Sequence, residues 1–428
     1  MPQAAQTYSH DTTRMPLALR LVSNTLTIPA ALARSVQRKR QRAEVLSVQR
    51  LSTEHLADRI ALTVLTGHPD KKALAGPLNS AILEWSARDW PALGQRLGKL
   101  DRRRAALPSG ARIAPAIAIE LFRHIAGPET CRKLDRGQPV NEAELPDALF
   151  EPLLDCIVLA EPDPALHFLA AQLFLELGWA RHGSDQTQDL TPDRLDAART
   201  CFDTAHQILE EIAPQAPHSA YFAEVNYRVR AAEGSTMEDL FSLFTRWRRS
   251  DPTTLTPFAV HGLNMLPRWY GEADSVSSFA NIAWAKTHEK MGAAAYAATY
   301  LSAMEVDPQI MLGMDVPAFR EGLMDMMQHS DDPDVTCNAI LRILWEVSAD
   351  AHGLTGREAT SLRRARCELR ELFFYLVRHA LGPVMPDVWA GRWTEAKILH
   401  AVAEAFEADI QAGHRVSIGL DGAKVLTT

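Results

Sequence analysis

Residues 191–212, "TPDRLDAARTCFDTAHQILEEI", carry the reading that decides the fold. Thr191 stands where a helix N-cap belongs, and Pro192 takes the first helical position, where no amide hydrogen is needed. Asp193 then sits in the first turn, close to the positive end of the helix dipole. Similar starts recur along the chain. Asp-Pro occurs at Asp163-Pro164, Asp251-Pro252, Asp307-Pro308 and Asp332-Pro333, each time with a helix-like run ending before it or beginning after it. Ser235, with Glu238 three residues on, reads as a capping box ahead of "DLFSLFTRW". Apolar residues recur at three- and four-residue steps, and period-two alternation is scarce, so the chain reads as all-α. In "PALHFLAAQLFLELGWARHG" (164–183) almost no polar face remains, which predicts a helix surrounded by other helices.

The stops are closely spaced, so consecutive helices are expected to pack as antiparallel neighbours. Ala198, Phe202 and Ala205 fit the second-helix pattern of a tetratricopeptide repeat, with the proline arriving late at Pro214. In "YAATYLSAMEVDP" (296–308), Tyr300, Ala303 and Pro308 fit, and Tyr296 stands where the first alanine belongs. The alternation has a physical basis: alanine lets two backbones approach, and the aromatic ring fills the gap between repeats. The corresponding first helices lack the Trp, Leu, Gly and Tyr of the repeat at their offsets. The expected fold is an α-solenoid of antiparallel helix pairs, tetratricopeptide-like, with short irregular N- and C-terminal tails.

A chain of 428 residues with 46% hydrophobic side chains fills a large core, and a formal charge of −8 gives no reason to expect nucleic acid or an anionic membrane as partner. Five dispersed cysteines, Cys131, Cys156, Cys201, Cys337 and Cys367, form no C-x-x-C pair and read as reduced thiols of a cytoplasmic protein. No run is apolar over the roughly 20 residues that a membrane helix requires. Neither a Walker loop, a dinucleotide-binding fingerprint, a nucleophile elbow nor a zinc motif can be read, so no cofactor and no metal is expected.

Organisation is expected as follows: an N-terminal arm over 1–28 with little to form a core, a helical region over 29–135, a repeat region over 136–413, and a tail over 414–428 that forms a short strand pair or stays loose. The boundary between the two helical regions rests on the mixture of Gly, Pro and charge in "IAGPETCRKLDRGQPVNEAELP". Arg14, Arg20, Arg34, Arg38, Lys39, Arg40 and Arg42 make the N-terminal segment basic and acid-free, either as a solvated helix face or as an arm for an acidic partner.

One corner stands out in this helical chain: "HGLNMLPRWYG", residues 261–271. Pro267, Arg268, Trp269 and Gly271, followed by Phe279-Ala280, resemble a family of uncharacterised bacterial tetratricopeptide-like proteins with a Pro-Arg/Lys-Trp-x-Gly corner. The resemblance covers about residues 235–310 and implies a helical-repeat fold; it implies no particular activity and leaves function open. From the residues themselves, Pro267 ends the preceding helix and Gly271 supplies a backbone conformation that other residues resist; with Phe279 from the resemblance, these are the structural residues of the corner. Trp269 and Tyr270 are then expected to cover the junction between neighbouring helix pairs, with Arg268 capping carbonyls or pairing with Asp251 or Glu272. His261, Asn264 and Arg268 could alternatively form a polar cluster beside an aromatic wall, able to hold an anion.

The function expected is a protein-protein interaction scaffold for an unidentified protein partner, binding through Trp247, Arg248, Arg268, Trp269 and Tyr270. Two alternatives stand beside it. One is an enzyme with His261 as acid or base and Arg268 as anion holder. The other is a regulatory subunit that uses its basic N-terminal arm.

Overall fold

The computed structural model describes residue 48 and residues 51–141, 144–145, 147–158, 163–184, 190–349, 356–389 and 394–427. The basic N-terminal segment over 14–42 lies outside the described residues. The described chain is mostly helical. It opens with α1 (Thr53–Ala57) and β1 (Ile60–Leu62), then runs through α2 (Pro69–Ser86), α3 (Trp90–Arg102), α4 (Ile113–Leu134), α5 (Asp147–Val158), α6 (Pro164–His182) and α7 (Pro192–Ile212). It continues with α8 (Ala220–Glu233), α9 (Met237–Ser250), α10 (Thr256–Asn264), α11 (Ser275–Met291), α12 (Ala294–Val306), α13 (Val316–Gln328), α14 (Pro333–Ser348) and α15 (Gly356–His379). It closes with α16 (Glu395–Ala405), α17 (Glu407–Gln411), β2 (Arg415–Gly419) and β3 (Gly422–Leu426).

The caps follow the sequence in most places. The Asp163, Asp307 and Asp332 carboxylates accept from Ala165, Gln309 and Val335 backbone amides. At the remaining Asp-Pro, Asp251 ends α9 and turns its carboxylate to an ion pair instead. The expected capping box moves by one residue: Thr236, not Ser235, accepts from the Asp239 amide. Thr191 holds the N-cap position of α7 without a side-chain bond.

Two cores share one wall. The first gathers α2–α4 with α6 and α7, and Ala126, Val140 and Leu145, from the Gly/Pro/charge-rich stretch, are buried in it. α6 is buried nearly all round, as its composition predicts. Gly178 makes its contact with α7 possible, because a Cβ there would lie 2.3 Å from the Phe202 ring. The second core gathers α9 through α17 together with Val48, Leu56 and Ile60. At its centre, α12 buries Ala294, Ala295, Ala297, Ala298 and Ala303 alongside Tyr296 and Tyr300, small residues that admit neighbouring helices on every side. Helix α8 belongs to both cores. Its Tyr221, Phe222, Val225 and Val229 pack in the first, Ala223 and Tyr227 in the second.

The C-terminal tail is not irregular. β2 pairs antiparallel with β3 and parallel with β1, in the register Ile60↔Val416 and Leu62↔Ile418. The first described segment therefore returns to the end of the chain. Val416 donates to the Arg59 carbonyl at 2.9 Å, Thr63 donates to Ile418 at 2.8 Å, and Arg59 Nη1 donates to the Gly413 carbonyl at 2.9 Å. Val416 and Ile418 are buried in the second core, which explains why a two-strand tail is held: a hairpin alone is marginal, and here it has a third strand and a helical bed. Among the described residues, no helix is long and apolar enough to cross a membrane.

Candidate functional site

α10 ends at Asn264, before Pro267 can interrupt it, and the next turns are closed by backbone bonds. Trp269 donates to the Leu266 carbonyl at 2.9 Å, Tyr270 to Asn264 at 3.1 Å and Gly271 to Leu266 at 3.2 Å. Gly271 is needed here for space rather than for an unusual backbone angle. A Cβ on it would stand 1.8 Å from the Met265 carbonyl oxygen, nearer than any side chain can come. The Tyr270 hydroxyl donates to the Ala231 carbonyl, which fastens the corner to the end of α8. Phe279 is buried behind it.

What the corner presents outward is Pro267, Arg268 and Trp269. Trp269 is 42% exposed, a high value for so large an apolar ring. The Arg268 guanidinium lies over that ring at 5.3 Å, a cation–π geometry. Arg268 does not pair with Asp251. That carboxylate is fully buried and held by Arg112, through both Nε and Nη2.

His261 faces the other way. It is 1% exposed and enclosed by rings: Phe244 stacks on it at 4.8 Å, Phe279 meets it edge-on at 4.5 Å, and Tyr227 and Phe241 close the remaining sides. The Tyr227 hydroxyl sits 2.7 Å from His261 Nδ1, and Asn264 Nδ2 donates to the same hydroxyl at 3.1 Å. Burial pushes the imidazole down to about 3, so the ring is neutral at physiological pH. His261 and Asn264 thus meet through Tyr227, whereas Arg268 is at the surface and outside that cluster. The polar trio expected from the helical spacing is not assembled. The cause is the end of α10 at Asn264, since the spacing argument requires the helix to continue to 268.

The remaining candidates divide similarly. Trp247 is buried at 1% exposure, against the ring of Tyr227, so it belongs to the core. Arg248, beside it, is half-buried, and Tyr270 is half-buried with its hydroxyl engaged. The sequence contained a signal for Trp247: Leu240, Phe244 and Trp247 follow a four-then-three step and form the apolar stripe of α9. The opposite face of α9, with Arg246 and Arg249, is exposed, and no motif in the sequence marks it.

Among the described residues, no group of three or more His, Cys, Asp or Glu is placed to hold a metal ion. All five cysteines are free. Burial pushes the Cys156 and Cys337 thiols up to about 12, so neither is a thiolate near neutral pH. Comparison of the chain with family models, curated proteins and solved structures finds no match in any of the three.

Proposed function

We propose that this protein is a protein-protein interaction scaffold, built as a tetratricopeptide-like array of helix pairs, and that the 267–271 corner is part of its binding surface. The observation that carries the proposal is the Arg268–Trp269 pair: a large aromatic ring left 42% exposed on a turn that backbone bonds and the Tyr270 anchor hold in place. An immobilised Trp loses little conformational freedom on association, and Trp, Tyr and Arg contribute most of the energy at protein interfaces. A structural role for Trp269 would need its ring covered.

The enzymatic alternative needs His261 and Arg268 in one open pocket. His261 is enclosed by rings and depressed in basicity, and Arg268 lies outside that enclosure, so this geometry favours the scaffold. The test is co-purification of a tagged chain from its native host beside an Arg268→Ala, Trp269→Ala variant first shown to be folded by circular dichroism. Loss of a stoichiometric protein partner with the folded variant supports the proposal. Retention of the same partner removes the corner from the interface.

A further inference from the structure

A second surface lies where α3 and α9 end. Sequence places Arg102-Arg103-Arg104 and Arg246-Trp247-Arg248-Arg249 far apart, but the fold brings the two runs together: Arg104 Nε donates to the Ser250 carbonyl at 2.9 Å. Between them lies a groove of about 880 Å³, lined by Arg104, His218, Phe241, Arg246 and Arg249, with Glu238 at the α9 N-terminal end.

Glu238 is the one carboxylate among the described residues that line this groove, and Asp101 and Asp251, next in the chain to the two arginine runs, are already engaged. Asp101 accepts from Ser219 Oγ at 2.7 Å and from the Tyr221 amide at 2.9 Å, and Asp251 is buried against Arg112. Arg246 and Arg249 are exposed, and among the described residues neither has a carboxylate partner. Arg246 lies over the Phe222 ring at 5.1 Å, which fixes its position without neutralising it. Cations at a helix C-terminus are favoured by the dipole, and that alone would account for one run on each helix. It does not account for their convergence on a shared groove, nor for Arg104, whose backbone is left-handed with φ +48° at a position where glycine would be less strained.

We propose that this groove docks an acidic segment of a partner protein, with Glu or Asp side chains on Arg104, Arg246 and Arg249 and an apolar side chain against Phe241. A carboxylate segment fits better than nucleic acid. The chain as a whole carries −8, so a long polyanion approaches against the net field, whereas a short acidic segment interacts locally, within about 10 Å at moderate salt. Three arginines beside one carboxylate, Glu238, leave a short cationic stretch, which suits a few carboxylates and not a continuing phosphate track. This inference stands apart from the corner, since it uses other residues.

The test is fluorescence anisotropy on the full chain, with a labelled peptide of repeated Glu-Glu-Leu triplets and a single-stranded oligonucleotide of matched charge. The proposal expects saturable peptide binding that weakens at least about tenfold in Arg246→Ala, Arg249→Ala and is unchanged in Arg364→Ala, an exposed arginine on α15. No peptide binding, equal binding by the groove variant, or tighter binding of the oligonucleotide overturns it. All substituted side chains are exposed, and circular dichroism on each variant confirms that the comparison is between folded chains.

Discussion

The Tyr227 hydroxyl lies 2.7 Å from His261 Nδ1, and it is the one hydrogen bond of that imidazole among the described residues. Since Asn264 Nδ2 donates to the same hydroxyl, the tyrosine proton points at Nδ1, and the histidine carries its own proton on Nε2, which is buried without a partner. A second proton would have to enter an aromatic enclosure. The ring is thus a core residue with a cost attached to its protonation.

That cost gives stability a pH dependence. The folded ring titrates at about 3 and the unfolded one near 6.5, so below 6.5 the unfolded chain takes up a proton that the folded chain refuses. The stabilisation is complete above 6.5 and is lost as pH falls toward 3, at about 1.4 kcal/mol per pH unit. In urea melts from pH 7 to pH 5, His261→Phe should be less stable than wild type at the upper end, because Tyr227 loses its acceptor, and should lose less stability on acidification. An unchanged slope would show that His261 is not held neutral.

Arg112 and Asp251 join the start of α4 to the end of α9. Asp251 is fully buried, and Arg112 also donates to the Arg104 carbonyl at 2.6 Å and to Thr253 Oγ1 at 3.1 Å. Removing one partner strands the other, so Asp251→Ala is expected to lower unfolding free energy by about 3 kcal/mol. Arg112→Met with Asp251→Leu should cost less than the single change. Denaturant titration of the three chains checks both statements, and equal losses would mean that the pair adds nothing beyond packing.

Gly271 tests the corner's stiffness. A methyl group there must displace the Met265 carbonyl, so Gly271→Ala is expected to cost about 1–3 kcal/mol by overpacking and to lower the melting temperature accordingly. Calorimetry reads the effect. A melting temperature equal to wild type would mean that the 265–271 turn is loose enough to yield, and the argument for a pre-arranged Trp269 would fall with it.

The β1–β2 pairing makes a prediction at a distance. Deleting residues 415–428 should remove the protection of the Thr63 amide, which donates to Ile418, and leave α6 and α7 in the first core unaffected. Hydrogen exchange by mass spectrometry resolves the two regions. Protection of the 60–63 segment that survives the deletion would show that α1 and β1 are held by the helical bed alone.

The sequence made the helices legible where a single local force sets them: Asp163, Asp307 and Asp332 cap with their own side chains, and the nearly all-apolar α6 is buried on all sides. Long-range pairing left no such trace. Ile60–Leu62 is too short to show a period of two, and its partner is more than 350 residues away at Val416–Ile418. Trp247 belongs to the core because it shares the apolar stripe of α9 with Leu240 and Phe244, and that place outweighs the association of tryptophan with interfaces. The meeting of Arg104 with Ser250 depends on how α3 and α9 pack, and neither arginine run alone announces it. At the corner, the sequence identified Gly271 as required but assigned the wrong cause, since a close approach to a carbonyl cannot be seen without the fold.

The central claim is that Trp269 faces a protein partner, and site-specific photo-crosslinking tests it directly. The full-length chain carries benzoylphenylalanine in place of Trp269, with Leu83, 70% exposed on α2, substituted in the same way as a control, and both are irradiated in the native host. The account predicts one discrete adduct from position 269 and none of that mass from position 83. No adduct at 269, or the same adduct from both positions, would contradict it.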